Sequence, residues 1–210
     1  MNAIDLLKTD HDFVDTLFAR IEDTPPSRHA AIFKKIKNEL DTHAHIEEKI
    51  FYPALLKDGK KDLQDITREG IQEHSQIKKF LSGIARTTSK DTREAKLKVL
   101  MEDTRHHVKE EENEMFPMVK DQFSREQLDA LGERMEAEKA KFQKAKGIPP
   151  RREEPQGALK KVVAKAKAVA ASAIGSDGKK KSNTKAKSTA APKAKSSDAP
   201  KAKAARAAGR

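Results

Sequence analysis

Apolar residues in the first two thirds of the chain recur at steps of three and four, the spacing of one face of an α-helix, and alternating β-type runs are absent. Residues 3–22 carry Ile4, Leu7, Val14, Phe18 and Ile21 in this register, with His11 inside the stripe. Thr24-Pro-Pro-Ser27 stops that helix, and Ser27 is placed to cap the next. A second helix over about 27–56 presents Ile32, Phe33, Ile36, Leu40, Ile50 and Phe51, with His43 and Glu47 on the same broad face. After a turn at 57–61, a third helix over 62–86 carries Leu63, Ile66, Ile71, His74, Ile77, Leu81 and Ile84. Asp91 and Glu94 have the spacing of a capping box for a fourth helix, which carries Leu97, Leu100, Met101, Thr104, His107 and Glu111 and ends near Lys120. A fifth helix opens at Ser124, boxed with Gln127. Its thin stripe of Leu128, Leu131, Met135 and Phe142 predicts that it lies against the outside of the others.

The polar residues inside these stripes are arranged twice. HAHIEEKIFYP at 43–53 superposes on HVKEEENEMFP at 107–117 with a shift of 64, which puts His43 on His107, Glu47 on Glu111, Tyr52 on Phe116 and Pro53 on Pro117. A shift of 63 puts His11 on His74, Asp10 on Glu73 and Ile21 on Ile84. Residues four apart stack on one helix face, so each HxxxE offers an imidazole beside a carboxylate. A duplicated helix pair with short connections predicts an all-α, up-down-up-down four-helix bundle over residues 1–146, with the additional fifth helix. In such a bundle His11, His43, Glu47, His74, His107 and Glu111 point at a common centre.

Four imidazoles and two carboxylates in a dry core cost several kcal/mol per ion unless something neutralises them. A metal does so. The donors are nitrogen and oxygen without sulfur, and six exceed what one tetrahedral site needs, which points away from structural zinc and toward iron or manganese. Shared over two centres with bridging carboxylates, they give each metal about four protein donors and leave positions open for an exogenous ligand.

The order His, HxxxE, His, HxxxE on four helices, with an aromatic-Pro pair closing both HxxxE stretches, resembles the hemerythrin-like (HHE cation-binding) family over about residues 1–146. The resemblance implies two non-haem iron ions with an oxo or hydroxo bridge. His11 and His43 would serve one iron, His74 and His107 the other, and Glu47 and Glu111 would bridge. Respiratory members carry a further His one turn after the third-helix ligand, where this chain has Lys78. That departure favours sensing or turnover of dioxygen, peroxide or nitric oxide over simple dioxygen carriage.

Asp15, one turn after His11, is either solvent-facing or a partner of a metal-bound imidazole, and Asp10 and Glu73 are weaker candidates for the same role. Glu48, Glu110 and Glu112 read as a charged outer face, His45 and His106 as solvated, and His29 as having no partner. Tyr52 and Phe116, with the prolines after them, read as packing and helix-end features, with donation of a hydrogen bond or an electron by the phenol as the minor alternative.

Charge divides the chain near Gly147. Residues 1–147 hold 27 Lys and Arg against 29 Asp and Glu, whereas residues 148–210 hold 17 against 4, so the net charge of +11 belongs to the tail. Beyond a linker at 147–156, residues 157–174 form a basic amphipathic segment suited to nucleic acid, a membrane surface or an acidic partner helix, and 175–210 are Lys, Ala, Ser and Pro, too poor in apolar bulk to repay ordering. This composition resembles the tails of linker histones and some bacterial nucleoid proteins and suits non-specific contact with DNA phosphates. The absence of cysteine excludes disulfides and thiolate chemistry. No secretory leader or membrane-length apolar run is present, which gives a cytoplasmic expectation, with nucleoid association through the tail as the further alternative. Three functions compete: a di-iron protein that binds or senses a small ligand, a di-iron enzyme of peroxide-decomposing or oxidase type, and a metal-free DNA-associated structural protein.

Overall fold

The structure, a computed structural model, describes residues 1–149 and 151. The expected segment at 157–174, the stretch at 175–210 and most of the linker at 147–156 lie outside the described residues. The regular elements are α1 (Ala3–Glu22), α2 (His29–Ile46), α3 (Tyr52–Asp58), α4 (Lys61–Arg86), α5 (Lys90–Glu110), α6 (Phe116–Gln122) and α7 (Arg125–Lys146). Among the described residues there is no strand, and no helix is long and apolar enough to cross a membrane.

Two π-helical turns, Glu47–Phe51 and Glu111–Met115, join α2 to α3 and α5 to α6. In each, the amide of the aromatic residue (Tyr52, Phe116) donates to the carbonyl five residues back (Glu47, Glu111). A proline removes one ladder donor and crowds the preceding turn, and the extra residue of a π turn opens that turn. The prolines therefore sit inside continuing helices, which run on to Asp58 and Gln122, and not at helix ends as the sequence suggests.

Helix α1 packs on α2, α2 on α4, α4 on α5 and α5 on α1, closing a ring of four. One apolar cluster joins the start of α1 (Ala3, Leu7) to Phe51, Leu55, Leu63, Phe116 and Val119. A second joins the end of α1 (Phe18, Ile21) to Ile32, Ile36, Leu81, Ile84 and Leu97. Each pole thus holds two helix starts and two helix ends, the up-down-up-down order. The band between the clusters holds the polar residues described below.

Helix α7 lies along the outside of α1 and α2 and buries Leu128, Leu131 and Met135. Phe142 instead stacks on His45, ring centroids 4.1 Å apart. The Ser124/Gln127 capping box forms as the sequence reads it. Two other caps do not. Ser27 lies within the 3-10 turn Pro26–Arg28 and makes no side-chain cap bond. Helix α5 is capped by Ser89, which accepts the Thr92 amide at 3.4 Å, and Glu94 instead accepts from His29 Nδ1 at 2.7 Å. His29 is buried between that carboxylate and the Thr24 carbonyl, 2.8 Å from Nε2, so it does have partners.

Gly132 is where α7 meets the N-terminus. A Cβ there would lie 2.2 Å from the Met1 carbonyl oxygen and 2.8 Å from the Asn2 carbonyl carbon, and both are backbone atoms that cannot swing aside. Gly132→Ala is expected to cost about 1–3 kcal/mol through displacement of α7. A urea denaturation midpoint equal to the wild type's would show that this contact is not tight.

Candidate metal centre

The structure brings all six sequence-selected side chains to one place between the two apolar clusters. His11, His43, Glu47, His74, His107 and Glu111 are each at most 5% exposed. His11 Nε2 faces His43 Nε2 at 3.2 Å, and His74 Nε2 faces His107 Nε2 at 3.0 Å. Glu47 Oε2 stands 3.1 Å from His43 Nε2 and 3.3 Å from His74 Nε2. Glu111 Oε2 stands 3.2 Å from His11 Nε2 and 3.7 Å from His107 Nε2. Each carboxylate therefore spans from one imidazole pair to the other. The potential ligand atoms of His11, His43, Glu47 and Glu111 form one group and those of Glu47, His74 and His107 another, each within 4.8 Å.

These carboxylates are not satisfied as ordinary hydrogen-bond acceptors. Both oxygens of Glu47 and Oε2 of Glu111 are buried without a hydrogen-bond partner, despite the nearby imidazole nitrogens, because no N–H is aimed at them. A buried carboxylate left in that state costs more than one that is paired or bound to a cation. The donor set fits a pair of cations.

A second layer explains how the imidazoles are aimed. His11 Nδ1 donates to Glu112 at 2.9 Å, His74 Nδ1 to Glu48 at 3.1 Å and His107 Nδ1 to Glu73 at 2.7 Å. Asp10 sits 3.7 Å from His43 Nδ1, an ion-pair separation too long for a hydrogen bond. Donation from Nδ1 in His11, His74 and His107 sets the tautomer, so that whenever the ring is neutral its Nε2 lone pair is directed inward. The four acids repeat as the inner six side chains do: Asp10 and Glu73 precede His11 and His74 and face the imidazoles of α2 and α5, whereas Glu48 and Glu112 follow Glu47 and Glu111 and reach His74 of α4 and His11 of α1.

Cations brace this layer. Lys78 Nζ bonds Glu48 at 2.6 Å, so the lysine one turn after His74 braces the carboxylate that holds the His74 imidazole. Lys8 lies 3.7 Å from Glu112. Asp10 is gripped by Lys139 of α7 at 2.7 Å and by Arg151 at 2.9 Å. Burial opposes charge on His11, but the adjacent carboxylates of Glu111 and Glu112 prevail and raise its pKa to about 10. The same contest, won by Glu47 and Glu48, raises His74 to about 9. His43 is also raised, Glu47 prevailing over burial, and Glu47 is held well below the usual carboxylate range by His43 and His74 in spite of its burial.

Sequence reasoning misplaces several residues. Glu48 and Glu112 are not merely an outer face, since each holds a centre imidazole; their match at the shift of 64 was the available signal. Asp15 pairs with Arg105 at 3.0 Å and takes no part in the centre. His45 is half-buried against α7, with Nε2 2.9 Å from Glu138. His106 is 66% exposed, as expected of a solvated residue. Tyr52 does more than pack: its hydroxyl donates to Glu111 Oε1 at 2.8 Å and lies 3.4 Å from His74 Nε2. Burial, together with Glu111 and Glu47, pushes the phenol's pKa well above its ordinary value, so it stays a proton donor. Its counterpart Phe116 lies parallel to the His11 ring at 6.0 Å.

On the side of the second apolar cluster the imidazoles border a small cavity of about 20 Å³, walled by Val14, Leu40, Ala44, Ile77, Thr104 and Val108. The Thr104 hydroxyl donates to the Leu100 carbonyl at 2.7 Å, so it offers no donor to an occupant. The space suits about one water-sized molecule.

A four-helix bundle with two imidazole pairs joined by two carboxylates defines a class of cation-binding protein, and comparison gives the same class: the Hemerythrin HHE cation binding domain matches residues 2–119, and the chain belongs to that family. A relative from Nostoc named DNA nickase is 28% identical over 150 residues, which are 70% of this chain and 42% of that protein, so the chain spans less than half of its length. The uncharacterised protein Rv2633c of Mycobacterium tuberculosis is 31% identical over 142 residues, covering 65% of this chain and 84% of that one. The crystal structure of an Rv2633c homologue from Mycobacterium kansasii, an HHE cation binding domain-containing protein, superposes with a TM-score of 0.59 at 27% identity, covering 69% of this chain and 89% of that one.

Proposed function

We propose that the centre holds two iron ions, one at His11 and His43 and one at His74 and His107, with Glu47 and Glu111 shared between them, and that the protein binds or senses dioxygen, peroxide or nitric oxide. The observation that carries this reading is the pair of buried carboxylates, short of hydrogen-bond donors and each reaching both imidazole pairs. Nitrogen and oxygen donors without sulfur support iron. When bound, the metals would supply Lewis acidity and reducing equivalents toward a small ligand. The chain's own residues orient three of the four imidazoles through Nδ1 and hold a phenol proton toward Glu111. The small, apolar cavity beside the imidazoles supports a ligand of few atoms.

Anaerobic titration of the metal-free full chain with ferrous iron is expected to saturate at two equivalents. Saturation at zero or one would end the reading. Glu48→Gln, which weakens the hold on His74 Nδ1, is expected to lower the affinity of one equivalent about 10–100-fold. Asp15→Asn should leave both equivalents unchanged. Equal affinities for wild type and Glu48→Gln would show that Glu48 does not support a ligand.

The basic residues 148–210 are read as associating with nucleic acid, supported by their net +13 and by the Nostoc relative's printed name. A cavity of about 20 Å³ is too small to admit a phosphodiester, so the buried centre is not read as a cutting site.

A further inference from the structure

The folded domain, close to neutral as a whole, is strongly polarised from end to end. The pole containing the α1–α2 and α4–α5 connections comprises residues 15–37 and 79–98, which carry 11 Lys and Arg against 5 Asp and Glu. The remainder of residues 1–146 carries 16 against 24. One end is thus about +6 and the rest about −8, an asymmetry that the domain's net charge conceals. Among the acids at this pole, Asp15 and Glu22 are engaged by Arg105 and Glu94 by His29. The cations Lys34, Lys35, Lys79, Arg86, Lys90 and Lys98 are exposed.

Two grooves lead from this pole along the flanks of α4, of about 590 and 560 Å³. Their polar linings are donor-rich, with Gln72, Ser75 and Lys79 on the α5 side and Ser82 and Arg86 on the α2 side. The one carboxylate bordering either groove, Glu48, is already bonded to Lys78 and His74. Multiple exposed cations beside neutral donors, with no unengaged carboxylate along the grooves, match a row of phosphodiester oxygens.

We propose that this pole is a docking surface for the phosphate backbone of nucleic acid, acting in addition to the tail. It shares no residue with the buried centre and does not depend on the metal.

The test uses the full chain and compares two variants with the same change in net charge. Lys79→Glu, Arg86→Glu and Lys90→Glu reverse the basic pole. Lys57→Glu, Lys60→Glu and Lys120→Glu, also exposed, reverse charges at the other pole. Affinity for a short random-sequence DNA duplex is measured by fluorescence anisotropy across a range of salt. The basic-pole variant is expected to bind at least about tenfold more weakly than the other, and its log–log salt slope to fall by about 2–3, since each lost phosphate contact removes about 0.9. Equal losses in the two variants would overturn the proposal, because tail and net charge alone would then account for binding. Phosphatidylglycerol vesicles provide a second arm: selective loss of vesicle binding, with duplex binding equal in the two variants, would also overturn it. Matching circular dichroism and iron content of both variants establish that the bundle is intact, and the same difference is expected of the metal-free protein.

Discussion

Glu47→Ala is expected to lower bound iron from two per chain to less than one and, in the metal-free protein, to cost about 3–5 kcal/mol, the penalty for removing one partner of a buried ion pair. Glu47 is fully buried and lies within 3.3 Å of imidazoles from both pairs, so its loss strands His43 and His74 together. The pH dependence of that penalty separates it from a simple cavity. The folded pKa of His74 is raised to about 9. The stability that its pairing contributes is therefore fully present below the unfolded value of about 6.5 and is lost as pH rises through about 9. The destabilisation by Glu47→Ala should be largest near pH 6 and shrink toward pH 10. Chemical denaturation of both metal-free proteins across that range measures it, and a penalty independent of pH would assign Glu47 a packing role only.

The second large effect is on metal affinity. Metals bind the neutral imidazole, whereas His11 and His74 hold protons up to about pH 10 and 9 in the metal-free site. Loading must displace at least one proton at each metal, so affinity at each should rise about tenfold per pH unit from pH 6 to 8 and level off above pH 9–10. Competition against a chelator of known pH behaviour reads the affinity, and proton release in weakly buffered solution gives an independent count. A flat profile would show that His11 and His74 are not displaced from their carboxylate partners by the metal.

Much of the bundle was legible because its signals are local and repeated. The helical period, the Ser124 box and the doubled HxxxE each depend on spacings of three or four residues within one element. The convergence of His11 with His43, and of His74 with His107, could be anticipated from the internal duplication. What escaped depends on geometry that spacing does not carry. Glu48 and Glu112 reach imidazoles on neighbouring helices, from within π turns where the regular helical register no longer holds. His29 and Glu94 meet across two helices, and that contact takes Glu94 away from the local box with Asp91. Asp15 has the sequence spacing of a centre residue, yet Arg105 of α5 draws it outward.

The role of Tyr52 was underestimated for a related reason. Its pseudo-symmetric counterpart is Phe116, and a phenyl ring at the matched position made packing the simpler reading. Only in three dimensions is the hydroxyl seen on Glu111, with Gly70 making room: a Cβ at Gly70 would lie 3.2 Å from the Tyr52 oxygen. The two halves of the centre are therefore alike in their imidazoles and carboxylates and unlike in this one proton donor.

Anomalous diffraction at the iron absorption edge, from crystals of the iron-loaded protein, tests the central claim most directly. Two peaks about 3.5–4 Å apart are expected, one beside His11 and His43 and the other beside His74 and His107, with Glu47 and Glu111 touching both. A single peak, or iron bound only away from these six side chains, would contradict it.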